Sequence, residues 1–181
     1  MVTSDTARAT GLMTWLWRTS AVLFTVWGIV HVLAGVMTMS QLLSGRAVDA
    51  VHAITPRSDR SLVDIDYPDA VIAILCQHGF NLAWVGVVVT VAAVFMWRRS
   101  GSAFWLAAIT GGLLDLGYFI FIDLGGFAEP PGPQMTYICA AAIITGGIAA
   151  TRQTRARGRT GVARPEADAS HETDSTPTEH G

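Results

Sequence analysis

The sequence predicts an all-α integral membrane protein: a four-helix up-and-down bundle, N-in/C-in, with a disordered C-terminal tail. Three observations predict it. The 181 residues are 51% hydrophobic and 14% charged, a balance outside the range of soluble domains. The apolar residues gather in four stretches, each long enough to cross about 30 Å of hydrocarbon. The 12 cations are all arginines, and most of them flank alternate ends of those stretches. Stretches of this length exceed the about 9 to 11 residues of a barrel strand, so the backbone groups must pair within helices.

The first span covers about residues 19–43 and gives a helix of roughly 37 Å at 1.5 Å per residue. A signal peptide is the competing reading, but its apolar core uses only about 7 to 15 residues. The loop that follows, near residues 44–69, sets Arg46, Arg57 and Arg60 against Asp49, Asp59, Asp64, Asp66 and Asp69. Tyr67-Pro68-Asp69 puts a proline where a first helical turn tolerates it and an acid at the positive end of the helix dipole. A second span over 70–97 starts there. The short turn from Arg98 to Ser102 makes the third span, 103–122, an antiparallel neighbour of the second.

Gly125-Gly126 and Glu129-Pro130-Pro131-Gly132-Pro133 cannot continue a helix and form a stiff turn before a fourth span over 135–151. This membrane domain, 1–151, gives way at Arg152 to a polar segment that lacks the apolar residues to offset its ordering entropy. Residues 152–181 are expected to be a disordered cytoplasmic tail, arginines first and acids after.

Orientation follows from the arginines. Arg8 and Arg18 precede the first span, Arg98 and Arg99 follow the second, and Arg152, Arg155, Arg157, Arg159 and Arg164 follow the fourth. Those regions are expected inside the cell, with the 44–69 loop and the turn after the third span outside. Trp15, Trp17, Trp97 and Trp105 fall at the cytoplasmic ends, where indole rings favour the interface.

Three ionisable residues lie within spans: His31, His78 and Asp115. An Asp at the helix centre costs about 2.5 to 3.5 kcal/mol on insertion scales, so each of the three calls for a partner or a purpose. Measured from the outer edges of their spans, their depths come to roughly 15, 13 and 12 Å, one common layer. Trp27 is one turn from His31, Asn81 one turn from His78 and Tyr118 one turn from Asp115, so each pair shares a helix face. Gly28, His31 and Gly35 share a small-residue face, as do Gly111, Asp115 and Tyr118. His78 lies about 100° from the stripe of Gly79, Ala83, Gly86 and Thr90, and so turns toward a different neighbour.

Four chemistries fit such a layer. One is a satisfied hydrogen-bond network that holds the helices in register. A second is a metal site with His31, His78 and Asp115 as ligands, although no local ligand motif supports it. A third is haem between His31 and His78, for which adjacent helices at about 8 to 10 Å are tight. The fourth is acid/base chemistry by His31, His78 and Asp115 on a lipid-soluble ligand such as a quinone, isoprenoid or sterol, with Trp27, Asn81, Trp84 and Tyr118 lining the pocket.

Cys76 and Cys139 fall on diagonal helices and are expected to be unpaired thiols facing lipid. There is no Walker-type loop, nucleophile elbow or H-E-x-x-H, and the net charge of −2 gives no basis for nucleic-acid binding. The expected function is that of a small multi-pass accessory or binding protein in the cell membrane, without a resident cofactor. The lipid bilayer and either a membrane protein or a second copy are its partners. The alternative is a small membrane enzyme or redox protein acting on the lipid-soluble ligand, with a metal or haem.

Overall fold

A backbone in hydrocarbon has no water to bond, so each N–H takes the carbonyl four residues earlier, and long apolar runs become helices. The computed structural model describes residues 2–162, with side chains over 11–155, and among these there is no strand. Helix α1 spans Val2–Leu43, the short α2 and α3 span Ala47–Ile54 and Arg60–Val63, α4 spans Asp69–Met96, α5 Gly101–Tyr118 and α6 Gly132–Val162. Four segments are long and apolar enough to cross a membrane: Gly11–Leu43, Asp69–Met96, Gly101–Asp123 and Gly132–Arg155. The four expected spans fall on them.

Several boundaries differ from expectation: helix α1 begins at Val2, well before residue 19, and helix α6 begins at Gly132, within the expected turn. The 44–69 loop contains the two short helices, and Asp59 caps α3 by accepting from the Ser61 backbone N–H at 2.9 Å. After α5 the chain passes into a π-helical turn over Phe119–Asp123 instead of ending as α-helix. Helix α6 runs through Arg152 to Val162, past the expected start of the tail, because arginine and glutamine have helix propensities close to that of leucine. The remainder of the expected disordered tail, 163–181, lies outside the described residues.

Helix α1 packs against α4 and α6, and α5 packs against the same two helices. The contact of α1 with α4 is the tightest. Gly28 meets Gly86 and Thr90, while Gly35 meets Gly79 and Ala83, so the two helices run antiparallel. A Cβ on Gly35 would strike the Gly79 carbonyl, and one on Gly86 would come within 2.5 Å of the Gly28 carbonyl. Only glycine permits this approach, which lets dispersion act between backbones where lipid removes the hydrophobic drive.

Trp17, Phe24 and Trp27 of α1, Met96 of α4, Phe104 of α5 and Cys139 of α6 are fully buried between the helices. Ser20 Oγ donates to the Ala142 carbonyl at 2.7 Å and ties α1 to α6. Trp17 departs from the expected interfacial position: its ring packs edge-on against Phe104 with centroids 6.1 Å apart. Trp15, Trp97 and Trp105 are exposed near the same end of the helices. Outward-facing positions are apolar too, among them Val26, Ile29 and Leu33 on α1 and Val87 and Val91 on α4. A surface of this kind suits hydrocarbon.

The two ends of the helices differ in charge. At one end Arg99 Nη2 donates to Thr14 Oγ1 at 2.7 Å, and the Arg18 guanidinium lies 5.9 Å from the Trp97 ring centroid. At the other end the two long connections are fastened together. The Arg57 N–H donates to the Phe127 carbonyl at 3.2 Å, and Arg57 Nε lies 3.6 Å from Glu129 Oε1. Asp49 and Arg60 form a second ion pair there.

Candidate functional site

Asp115 enters the interior from α5 and is 5% exposed. Its Oδ2 accepts from Trp27 Nε1 at 2.9 Å, a bond that joins α5 to α1. Its Oδ1 faces His31 Nε2 at 3.8 Å. The Cys139 thiol of α6 faces the same carboxyl group. Three helices therefore supply one buried polar cluster, and charge-assisted donation from an indole is the type of bond such a carboxylate needs.

His31 is oriented by its own helix. Its Nδ1 lies 2.8 Å from the Trp27 carbonyl, one turn back, and its ring stacks on the Trp27 indole with centroids 3.7 Å apart and planes 22° from parallel. A carbonyl oxygen only accepts, so Nδ1 carries the hydrogen. That leaves Nε2 as the nitrogen turned toward Asp115. Trp27 thus fixes both members of the pair: its carbonyl sets the His31 tautomer and its N–H holds the Asp115 carboxyl.

A cavity of about 760 Å³ opens beside this pair, at the end of the helices where the long connections meet. Val30, Ala34, Leu82, Leu114 and Met135 line it with aliphatic surface, and His31, His78, Asp115 and Tyr118 supply polar groups. The π turn contributes Phe121 and Ile122 to the wall. Such turns recur at functional sites because the extra residue widens the helix and redirects its side chains. Pro56 from one connection and Glu129, Pro130 and Pro131 from the other close part of the mouth. Tyr118 packs its hydroxyl against Gly132, where a Cβ would not fit.

The sequence-derived candidates divide into three groups. His31, Asp115 and Trp27 are in mutual contact, with Trp27 buried behind the pair rather than exposed to the cavity. His78 and Tyr118 line the same cavity, but His78 is exposed and makes no hydrogen bond or ion pair with other described residues. Asn81 and Trp84 are elsewhere: Trp84 Nε1 donates to Asn81 Oδ1 at 3.0 Å, and Trp84 is 44% exposed on the outside of α4. The Asn81 amide oxygen thereby finds its partner on its own helix.

Among the described residues no three His, Cys, Asp or Glu side chains gather as a metal-binding set. His31 and Asp115 adjoin while His78 stands apart, so the expected three-ligand metal site is not assembled. A haem between His31 and His78 meets the glycine contact of α1 with α4, which leaves no gap for a porphyrin between those helices.

Cys139, like Asn81 and Trp84, lies elsewhere than sequence reasoning placed it. Both thiols are free, but Cys139 is buried against Asp115 instead of facing lipid. The spacing of Cys139, Ala142 and Gly146 on one helix face was the signal for it, since small residues mark the side that meets other helices. Compared with known proteins, the chain matches no family model, and no curated protein or solved structure is significantly similar to it.

Proposed function

We propose that the chain is a four-span, N-in/C-in protein of the cell membrane, an up-and-down bundle that binds a lipid-soluble small molecule in the cavity beside His31 and Asp115. The observation that carries this reading is the joining of two features: a mostly aliphatic cavity of about 760 Å³, and a buried polar pair at its wall. Ligand pockets of about 300 to 1,000 Å³ combine apolar walls with a few fixed polar groups in this way. The arginine distribution supports this orientation, in which the cavity mouth lies at the outer face. An apolar body would occupy the aliphatic walls, and a polar head would meet the pair.

A second reading, in which His31 moves a proton to or from the ligand, draws on the free Nε2 facing the cavity side of Asp115. Binding is the requirement common to both readings. The test is native mass spectrometry of protein purified in lipid nanodiscs, followed by organic extraction. We expect a bound apolar molecule in the wild type and its loss in Leu114→Trp, which fills the cavity. Protein that carries no such molecule and takes up none of a panel of quinones, isoprenoids and sterols would exclude the proposal.

A further inference from the structure

We infer that the cavity recognises a lipid alcohol, a molecule with an apolar body and a hydroxyl that sits between His31 Nε2 and Asp115 Oδ1. This rests on the reading of the cavity as a lipid pocket. The separation of 3.8 Å between the two atoms is too long for a direct hydrogen bond. It is short enough for one oxygen, placed about 2.8 Å from each, to reach both.

Hydrogen counting selects the group. The Nδ1 hydrogen is committed to the Trp27 carbonyl, and the Trp27 N–H and the Cys139 thiol both serve the carboxyl group, so Nε2 and the remaining lone-pair capacity of Oδ1 are left for a ligand. An electrically neutral pair holds one proton between them, either as imidazolium with carboxylate or as imidazole with carboxylic acid. In both forms the pair offers one donor and one acceptor. A hydroxyl also has one donor and spare acceptor capacity, so it satisfies both atoms at once. A ketone, a quinone carbonyl or an ether accepts only and leaves the acceptor of the pair unfilled, a cost that buried polar sites convert into discrimination.

Charge narrows the choice further. Among the described residues no arginine lines the cavity, Glu129 is already paired with Arg57 and the His31–Asp115 pair is neutral overall, so a carboxylate or phosphate head would find no permanent cation to meet it. Fatty acids and prenyl phosphates are thereby disfavoured. Prenols and quinols share the favoured chemistry.

The experiment titrates wild-type protein in nanodiscs and follows tryptophan fluorescence, because Trp27 stacks on His31 beside the expected hydroxyl position. Two matched pairs are compared: farnesol with farnesyl methyl ether, and decyl-hydroquinone with decylquinone. Farnesoic acid and farnesylamine complete the series. We expect at least one hydroxyl compound to bind, 10-fold or more tighter than its acceptor-only partner, with the acid weakest. The pair that shows the larger ratio distinguishes a prenol site from a quinol site. In the double variant His31→Phe with Asp115→Asn, the amide oxygen still meets the Trp27 N–H and only an amide N–H is left beside the cavity, a donor that alcohol and ether accept from equally, so the ratio should fall toward one; if that variant does not fold, the two wild-type ratios decide alone.

Equal affinity of alcohol and ether and of quinol and quinone overturns the inference but leaves the lipid pocket standing. Tighter binding of farnesylamine also overturns it, by showing an unprotonated pair that seeks a cation. If none of the six compounds binds, the pocket reading falls with it.

Discussion

Asp115 is held by the Trp27 indole, with the Cys139 thiol facing the same carboxyl group. Truncating the donor in Trp27→Phe retains most of the ring volume but removes the indole N–H that Oδ2 accepts. Hydrogen bonds between membrane helices average about 0.6 kcal/mol, because the reference state finds other partners. Here the acceptor stays buried, so the larger figure of about 1–3 kcal/mol for an unsatisfied group applies. We expect thermal unfolding of Trp27→Phe in detergent to fall by several degrees, and Asn81→Ala, whose hydrogen-bond partner among the described residues is the exposed Trp84, to leave it unchanged. The meeting of His31 with Asp115 was legible from depth arithmetic, because helical rise is uniform. Their link through Trp27 was not, since the identity of a donor across two helices depends on rotation about each axis. Asp59 gives a separate test outside the spans. Hydrogen bonds from Ser61, side chain first and backbone second, hold its carboxyl below the usual carboxylate range. A group so depressed favours the folded loop above its unfolded value and ceases to do so as pH falls through the folded one. Ser61→Ala should therefore raise the Asp59 midpoint in a carbon-detected NMR titration.

At the scale of elements, the contact of α1 with α4 decides whether the cavity exists. Val30, His31 and Ala34 on α1 and His78 and Leu82 on α4 line it from helices that Gly28, Gly35, Gly79 and Gly86 hold together. A valine at position 35 would drive its Cβ into the Gly79 carbonyl, and backbone cannot yield as a flexible side chain does. Overpacking of this type costs about 1–3 kcal/mol, and the displacement would also shift His31 relative to Asp115. We expect Gly35→Val to lose both thermal stability and ligand-induced quenching. Gly11→Ala, where a Cβ meets nothing within 4 Å, should gain about 0.5–1 kcal/mol from helix propensity alone. The spans and the glycine faces were readable because hydropathy and the 3.6-residue period are local properties. The π turn after Tyr118 was not. It adds one residue to a helix whose sequence, Phe-Ile-Phe-Ile-Asp, is apolar in either geometry. The helical run of α6 beyond Thr151 was missed for a different reason: polarity was taken as a sign of disorder, whereas arginine and glutamine sustain a helix without a core.

For the whole molecule, charge and cavity together distinguish the two ends of the helices. Arg18, Arg98, Arg99, Arg152 and Arg155 belong to the end with the exposed indoles of Trp15, Trp97 and Trp105. The opposite end carries Asp49, Asp59, Asp64, Asp66, Asp69, Asp123 and Glu129, with Arg46, Arg57 and Arg60 among them, and it also holds the cavity mouth. Arginine is costly to translocate, whereas acids contribute little to topology, so the arginine-rich end is expected to stay in the cytoplasm. A ligand would then enter from the outer face, between connections that Arg57 and Glu129 fasten together. That ion pair is more than half exposed on the arginine side and so adds little stability, but it joins the two segments that close the mouth. Single cysteines at Asp66 and at Gly101, in a background with Cys76 and Cys139 replaced by alanine, report the orientation directly. In intact cells a membrane-impermeant maleimide should label the cysteine at position 66 and spare that at 101 until the membrane is opened. The reverse pattern would put the cavity mouth in the cytoplasm, where the same pocket would draw its ligand from the inner leaflet.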